Sequence, residues 1–375
     1  MIGFIFLNMA MIGIVHAVRA PILPFIKEEF MLSYSALALM LTLSSLGLLL
    51  GVLIGGRLCE IFGYKKGMIS ATIIMSFSLV ILYFNTTFVG LLINFFFIYL
   101  ALGFFDIALN SLGSRMFITK TAILMSLAHF FFGVGSASGS QYAGIMLANV
   151  IPWRLIFTSV FILYAISMVA ACFAKFPEVK TENKKAGLPF IKVIKDIRVW
   201  LGFATMGLCV VFDIGIVNWL IIYLREVGGM TPDTSASYLA LYFVFFSLGR
   251  LLGGVVAEKL GYIRTFFACI VFATGFFVAG IATGSALLFA LIGLFSSVFF
   301  PLFLSIIVKE FKSDATAVIN VILPLCNVLF MVSSILLGVL MDYIGEQAGF
   351  YTIISFIVIA PVFLFAFKRR LVNEI

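Results

Sequence analysis

Five ionisable side chains stand inside long apolar runs of this chain: His16, Arg19, Asp106, His129 and Asp213. Such a group deep in lipid costs ~2.5–3.5 kcal/mol on insertion scales, so it is kept where it faces a wet cavity or a partner. Asp106 and Asn110, four positions apart, share a helix face and aim a carboxylate and an amide at one space. That pair suits a sugar hydroxyl or a proton relay, in which a carboxylate takes a proton from one side and releases it to the other as access alternates. Asp213 suits the same work, although either acid could instead be locked to Arg19 or to a backbone group. His129 shares a face with Phe132, Gly133 and Ser136, where an imidazole can titrate near neutral pH or simply hydrogen-bond its neighbours. His16 and Arg19, three apart, could hold an anionic substrate group; equally, Arg19 could pair with an acid or snorkel past Pro21.

Around these groups stand residues that could line a pocket. Trp219, Tyr142 and Tyr242 offer flat faces for the C–H side of a sugar ring, and Asn218, Gln141, Asn320 and Asn327 offer paired donors and acceptors. With 44 Phe and 12 Tyr in the chain, most aromatics must face lipid or fill helix contacts. Gly133, Gly135, Gly139 and Gly144 suit close helix packing, and Pro24, Pro301 and Pro324 suit bends. No phosphate-binding loop of the Walker type is present, two histidines make no familiar zinc site, and Cys59, Cys172, Cys209, Cys269 and Cys326 lack metal spacing. These absences predict no enzyme, no cofactor and no bound metal.

The elements that position these residues must be membrane helices. Hydrophobic residues make up 63% of the chain and charged residues 11%, with a mean hydropathy of +1.24; soluble domains carry roughly 25% charged residues. Apolar runs of spanning length fall at about 2–25, 34–57, 67–85, 88–117, 122–148, 152–175, 199–225, 234–257, 264–283, 286–309, 315–342 and 347–368. The first has no basic lead-in and no small-residue cleavage pattern, so it is read as a retained helix. If the first helix starts in the cytoplasm, the outer segments hold only the bases Lys27, Arg154 and Arg225, and nearly all others fall inside. The net charge of +8 therefore records topology and requires no nucleic acid. The expected protein is multi-pass in the inner membrane of a prokaryote, with both termini cytoplasmic. Residues 176–198 form a basic cytoplasmic linker, in which 190–197 could make a short amphipathic helix on the lipid surface or a solvated tether.

Two loops carry one pattern at an offset of 198 residues: Gly56, Glu60, Gly63 and Lys66 recur in kind as Gly254, Glu258, Gly261 and Arg264, with Lys65 a further base in the first loop. The repeat predicts an all-α polytopic membrane protein of twelve transmembrane helices in two pseudo-symmetric six-helix bundles, 1–175 and 199–375, with a solute site between them. The loops could latch an inner gate, the acid meeting a neighbouring helix end. Their pattern resembles the loop between the second and third helices of the major facilitator superfamily, with Glu60 where the family usually has Asp. The run Leu127 to Gly135 resembles the fifth helix of fucose-permease-like sugar:proton symporters. The runs Asp213 to Leu224 and Gly249 to Gly254 resemble the seventh and eighth helices of that group, and Phe104 to Asn110 its fourth. Ile221-Ile222 replace the usual Pro-Thr, and Asp213 a common Glu.

The resemblance implies a monomeric secondary transporter moving a small polar solute, most simply a sugar, with protons through Asp106, Asp213 or His129. Transport of an organic anion, drug export on the same fold, and a transport-dead receptor or assembly factor are the other readings.

Overall fold

The computed structural model describes residues 2–117, 121–174, 176 and 190–371. Helix dominates because lipid offers no hydrogen-bond partner to a bare backbone, so each crossing must satisfy its own amides. The first six crossings are α1 (Ile2–Glu29), α2 (Tyr34–Phe62), α3 (Tyr64–Phe84), α4 (Phe88–Met116), α5 (Thr121–Ala148) and α6 (Trp153–Phe173). After a short helix at Phe190–Lys195 come α7 (Ile197–Val227), α8 (Pro232–Leu260), α9 (Tyr262–Thr283), α10 (286–311), α11 (Ala315–Ile344) and α12 (Glu346–Lys368). The α10–α11 pair forms one apolar run of 59 residues. It is two crossings, because Lys312 takes φ 49° in a three-residue turn, Lys312–Asp314, and the helices pack back on each other. The expected twelve crossings are therefore present among the described residues.

The linker expectation is only partly visible. Lys175, Glu178, Lys180, Glu182, Lys184 and Lys185 lie outside the described residues. In the short helix, Ile191 is exposed whereas Val193 is buried. Next to it, Asp196 caps α7, accepting from the Arg198 amide at 2.9 Å. Burial opposes the charge on Asp196, yet the hydrogen bonds from Arg198 prevail and hold its carboxyl below the usual carboxylate range. Arg198 also pairs with Glu310 of α10.

Large apolar side chains such as Phe77, Phe84, Val89 and Val332 are exposed on the outside of the bundles, where a bilayer would cover them. The repeated loops share one backbone shape. Gly63 has φ 86° and ψ 156°, Gly261 φ 88° and ψ 144°, and each both ends one helix and starts the next. A side chain would strain that left-handed region, which explains why glycine recurs there. At the first loop, Glu60 pairs with Arg57 at 3.5 Å and Lys65 donates to the Cys172 carbonyl at 2.7 Å. Gly56, Lys66, Glu258 and Arg264 lie at the same end of the molecule, far along the helices from the intramembrane charges.

The bundles meet through α2–α11, α5–α8 and α1–α7. Small residues permit this: a Cβ on Gly338 would sit 2.7 Å from the Tyr34 carbonyl, and one on Gly144 3.1 Å from that of Pro232. Among the described residues, every hydrogen bond between bundles lies in the half toward Glu29. Lys27 donates to Glu226 at 3.3 Å, the Tyr34 hydroxyl also donates to Glu226, and Ser140 donates to the Ala236 carbonyl at 2.9 Å. Deeper in, Thr42 donates to the Met331 carbonyl at 3.3 Å. Asp342, near the end of α11, accepts from the Tyr34 and Ser35 amides at 2.7 and 3.0 Å. It thus caps the first turn of α2 from the opposite bundle, where a negative charge is favoured. The half toward Gly63 carries no such hydrogen bond between bundles among the described residues, so the clasp they form lies at the Glu29 end.

Replacing Asp342 with Ala removes that cap, worth about 1 kcal/mol, and shifts the balance between closed and open ends roughly fivefold. Spin-label distances between Cys residues placed at Ser33 and Tyr343 should then gain a longer population; an unchanged distribution would deny Asp342 this role.

Candidate functional site

Two charged centres lie between the bundles, one on each side of the midplane. The first is built on α1. Arg19 lies ten residues from the Glu29 end, about 15 Å of helix, and is 4% exposed. Its Nη2 donates to Asn218 Oδ1 of α7 at 2.7 Å, joining the two bundles. Its guanidinium lies 4.6 Å from the centre of the Tyr99 ring of α4, a cation–π contact strengthened by the dry surroundings. His16, one turn earlier, sits between Tyr99 and Phe132 with ring centres 6.5 and 6.0 Å away. Arg19 has no carboxylate at ion-pair distance among the described residues. Arg19 Nε, His16 Nδ1, Asn218 Nδ2 and the Tyr99 hydroxyl are all buried without a hydrogen-bond partner.

The second centre lies toward Gly63 and is built on α4, α7 and α8. Asp106 accepts from Asn110 Nδ2 at 2.9 Å, the one-face pair expected from their spacing, and the same amide also donates to the Asp106 carbonyl. Asp213 accepts from the Tyr242 hydroxyl, which lies 2.8 Å from Ser296 Oγ. Arg250 of α8 interacts electrostatically with both acids and with His129. No carboxylate closes to ion-pair distance of it among the described residues, its Nε has no partner, and its guanidinium lies 4.8 Å from the Phe246 ring centre. Arg250 therefore stands in the electrostatic field of an acid from each bundle without bonding to either among the described residues.

Sequence reasoning did not place Arg250 in the site. Its place in the chain, close before Lys259 and Arg264, reads as one more helix-end base, yet it stands ten residues before the last residue of α8, well inside the span. That offset was the available signal. Tyr99 was missed because nothing marks one tyrosine among many until the fold sets it under Arg19.

The other expected pocket residues are dispersed. Trp219 is 1% exposed and sits edge-on to Tyr34 at 6.4 Å between ring centres. Tyr242 is fully buried in its hydrogen bonds to Asp213 and Ser296, and the Tyr142 hydroxyl faces Ser159 of its own bundle at 2.7 Å. Gln141 is half-buried. Asn320 is exposed near the start of α11, and Asn327 donates to the Leu323 carbonyl at 3.1 Å. Gly133 packs against Ser247 across the bundle interface, and Gly139 against Ile14 of α1.

Comparison with known proteins agrees with this architecture. The profile of the Major Facilitator Superfamily matches residues 5–329. A relative from Acinetobacter baylyi, described as a cis,cis-muconate transport protein, is 25% identical over 254 residues. The match covers 63% of this chain and 60% of that relative's length. A bacterial homologue of the lysosomal transporter Spinster, solved in an inward-facing unoccupied conformation, superposes with a TM-score of 0.78 at 16% identity, over 98% of this chain and 96% of that one. The transporter FucP, solved in an outward conformation, gives 0.67 at 15% identity over 98% of each chain.

The face of the Tyr99 ring is the main support of Arg19 from α4. Tyr99→Phe should leave the thermal midpoint of the purified protein unchanged, while Tyr99→Leu, losing a contact worth about 2 kcal/mol when desolvated, should lower it by several degrees in a melting experiment.

Proposed function

Because the chain belongs to the Major Facilitator Superfamily, we propose that it is a proton-coupled secondary transporter of a small polar solute, working by alternating access in the inner membrane of a prokaryote. The single observation that carries this reading is a buried Arg250 in the electrostatic field of both Asp106 of one bundle and Asp213 of the other. Two carboxylates and one guanidinium balance when one proton is bound, and an unbalanced charge in lipid costs several kcal/mol. The cluster thus favours one proton per cycle while shut away from water. The second half of the cycle, exposure to the opposite side, lets that proton leave.

The two acids divide the work. Asp213 is fixed on the second bundle by the Tyr242 hydroxyl it receives. Asp106 receives only the Asn110 amide and is the group that takes and releases the proton. His129, in the field of Arg250, adjusts this centre from α5. Asn110 and the polar groups around Asp106 give hydroxyls of a sugar-like solute their partners.

Basic residues assign the sides. Arg57, Lys65, Lys66, Arg115, Lys259 and Arg264 gather at the Gly63 end, against Lys27, Arg154 and Arg225 at the other. This bias makes the Gly63 end cytoplasmic, so the closed Glu29 end is the outer gate and the conformation faces inward. Glu60, Glu258 and the glycine loops then belong to the inner gate, which engages when the molecule turns outward.

In proteoliposomes given a panel of sugars, polyols and organic acids, an inward proton gradient should drive accumulation by the wild type. Asp106→Asn should lower that accumulation by about tenfold or more while leaving solute exchange at equal pH intact. Gradient-driven accumulation at the wild-type level in both Asp106→Asn and Asp213→Asn would end the coupling assignment.

A further inference from the structure

We propose that the solute carries a carboxylate and that this group docks on Arg19, between the bundles. The inference rests on the transporter reading and names the solute class. Three observations lead to it. Arg19 is a buried cation with no carboxylate at ion-pair distance among the described residues, held by one amide oxygen and by Tyr99, in contrast to Arg250, which lies in the field of two acids. The groups around it are short of acceptors: Arg19 Nε, Asn218 Nδ2 and the Tyr99 hydroxyl are buried donors without partners, and His16 Nδ1 is equally unengaged. The donors also come from both bundles, Arg19 and Tyr99 from the first and Asn218 from the second.

A carboxylate answers each point. It brings one negative charge to one unmatched positive charge, whereas a dianionic phosphate would leave a new charge unbalanced in the same dry space. Its two oxygens accept from the planar guanidinium and from neighbouring N–H and O–H donors at once. The Tyr99 and Phe132 rings bracket His16 beside Arg19, leaving an apolar wall for the carbon skeleton. When no solute is present, Asn218 Oδ1 stands where a carboxylate oxygen would accept, and that bond holds α1 to α7. An arriving carboxylate replaces this direct clasp with one that runs through the solute. The anion sits toward the outer gate, and the proton centre toward the cytoplasm.

The test is binding by the full-length protein in lipid nanodiscs, using lactate, glucuronate and benzoate, each paired with its neutral carboxamide. At least one acid should bind, and its amide should bind far more weakly. Arg19→Gln should weaken the acid by about tenfold to a hundredfold, the worth of a charged hydrogen bond, and Arg19→Lys by less. Asn218→Ala and Tyr99→Phe, which leave the buried cation in place, should each weaken it severalfold without changing amide binding, so a folding defect in the Arg19 variants does not decide the matter. Amide binding equal to acid binding, no binding by any acid, or full affinity in the Arg19 and Asn218 variants overturns the proposal. The same preparations in proteoliposomes separate the two readings. Gradient-driven uptake of a neutral sugar that survives in Arg19→Gln leaves proton coupling standing and removes the carboxylate. Arg19-dependent acid binding with no response to the gradient does the reverse.

Discussion

The interior of a bilayer cannot solvate a charge, and the placement of every ionised group in this protein follows from that. Arg250 is tolerable because Asp106 and Asp213 approach it from two bundles. Arg19 is tolerable because an aromatic face and an amide oxygen stand in, incompletely, for an anion. The two solutions differ in kind. One is a cation set among acids; the other is a cation whose donors exceed its acceptors. Their separation along the helices sets the two kinds of charge at different depths between the same two bundles.

Closure at the Glu29 end depends on a different balance. Lys27, Tyr34 and Glu226 form a compact group across the interface, and Asp342 completes the first turn of α2 from the other bundle. These contacts sit where water can reach them, so each is individually modest. Weak contacts suit a gate, since a clasp of many kcal/mol would stop the cycle. Beneath them the small residues Gly144 and Gly338 let helix backbones touch, so the closed end is sealed by fit as well as by charge.

Much of this was legible in the residues. Long apolar runs and the distribution of lysine and arginine led to twelve crossings, because lipid thickness and backbone satisfaction leave few options. The recurrence of Gly63 as Gly261 announced the duplication, and both glycines take the same left-handed conformation. The spacing of Asp106 and Asn110 puts them on one helix face, where they bond to each other. What could not be read was convergence in space. Arg250 resembled a helix-end base, and only packing brings it before acids 37 and 144 positions away in sequence. Tyr99 had no mark at all. Trp219 and Tyr242 looked like an open platform for a sugar, yet one is packed behind Tyr34 and the other is bound to Asp213. Residue type indicated what each could do; the helix face and its neighbour decided what it does.

The turn between α10 and α11 bears on how the protein is made. Only Lys312, Ser313 and Asp314 separate two crossings, and Lys312 already holds the reversed backbone angle. A nascent chain has no slack there for one helix to settle in lipid while the other waits in water. A connection this short favours entry of the two crossings into lipid together, as a helical hairpin.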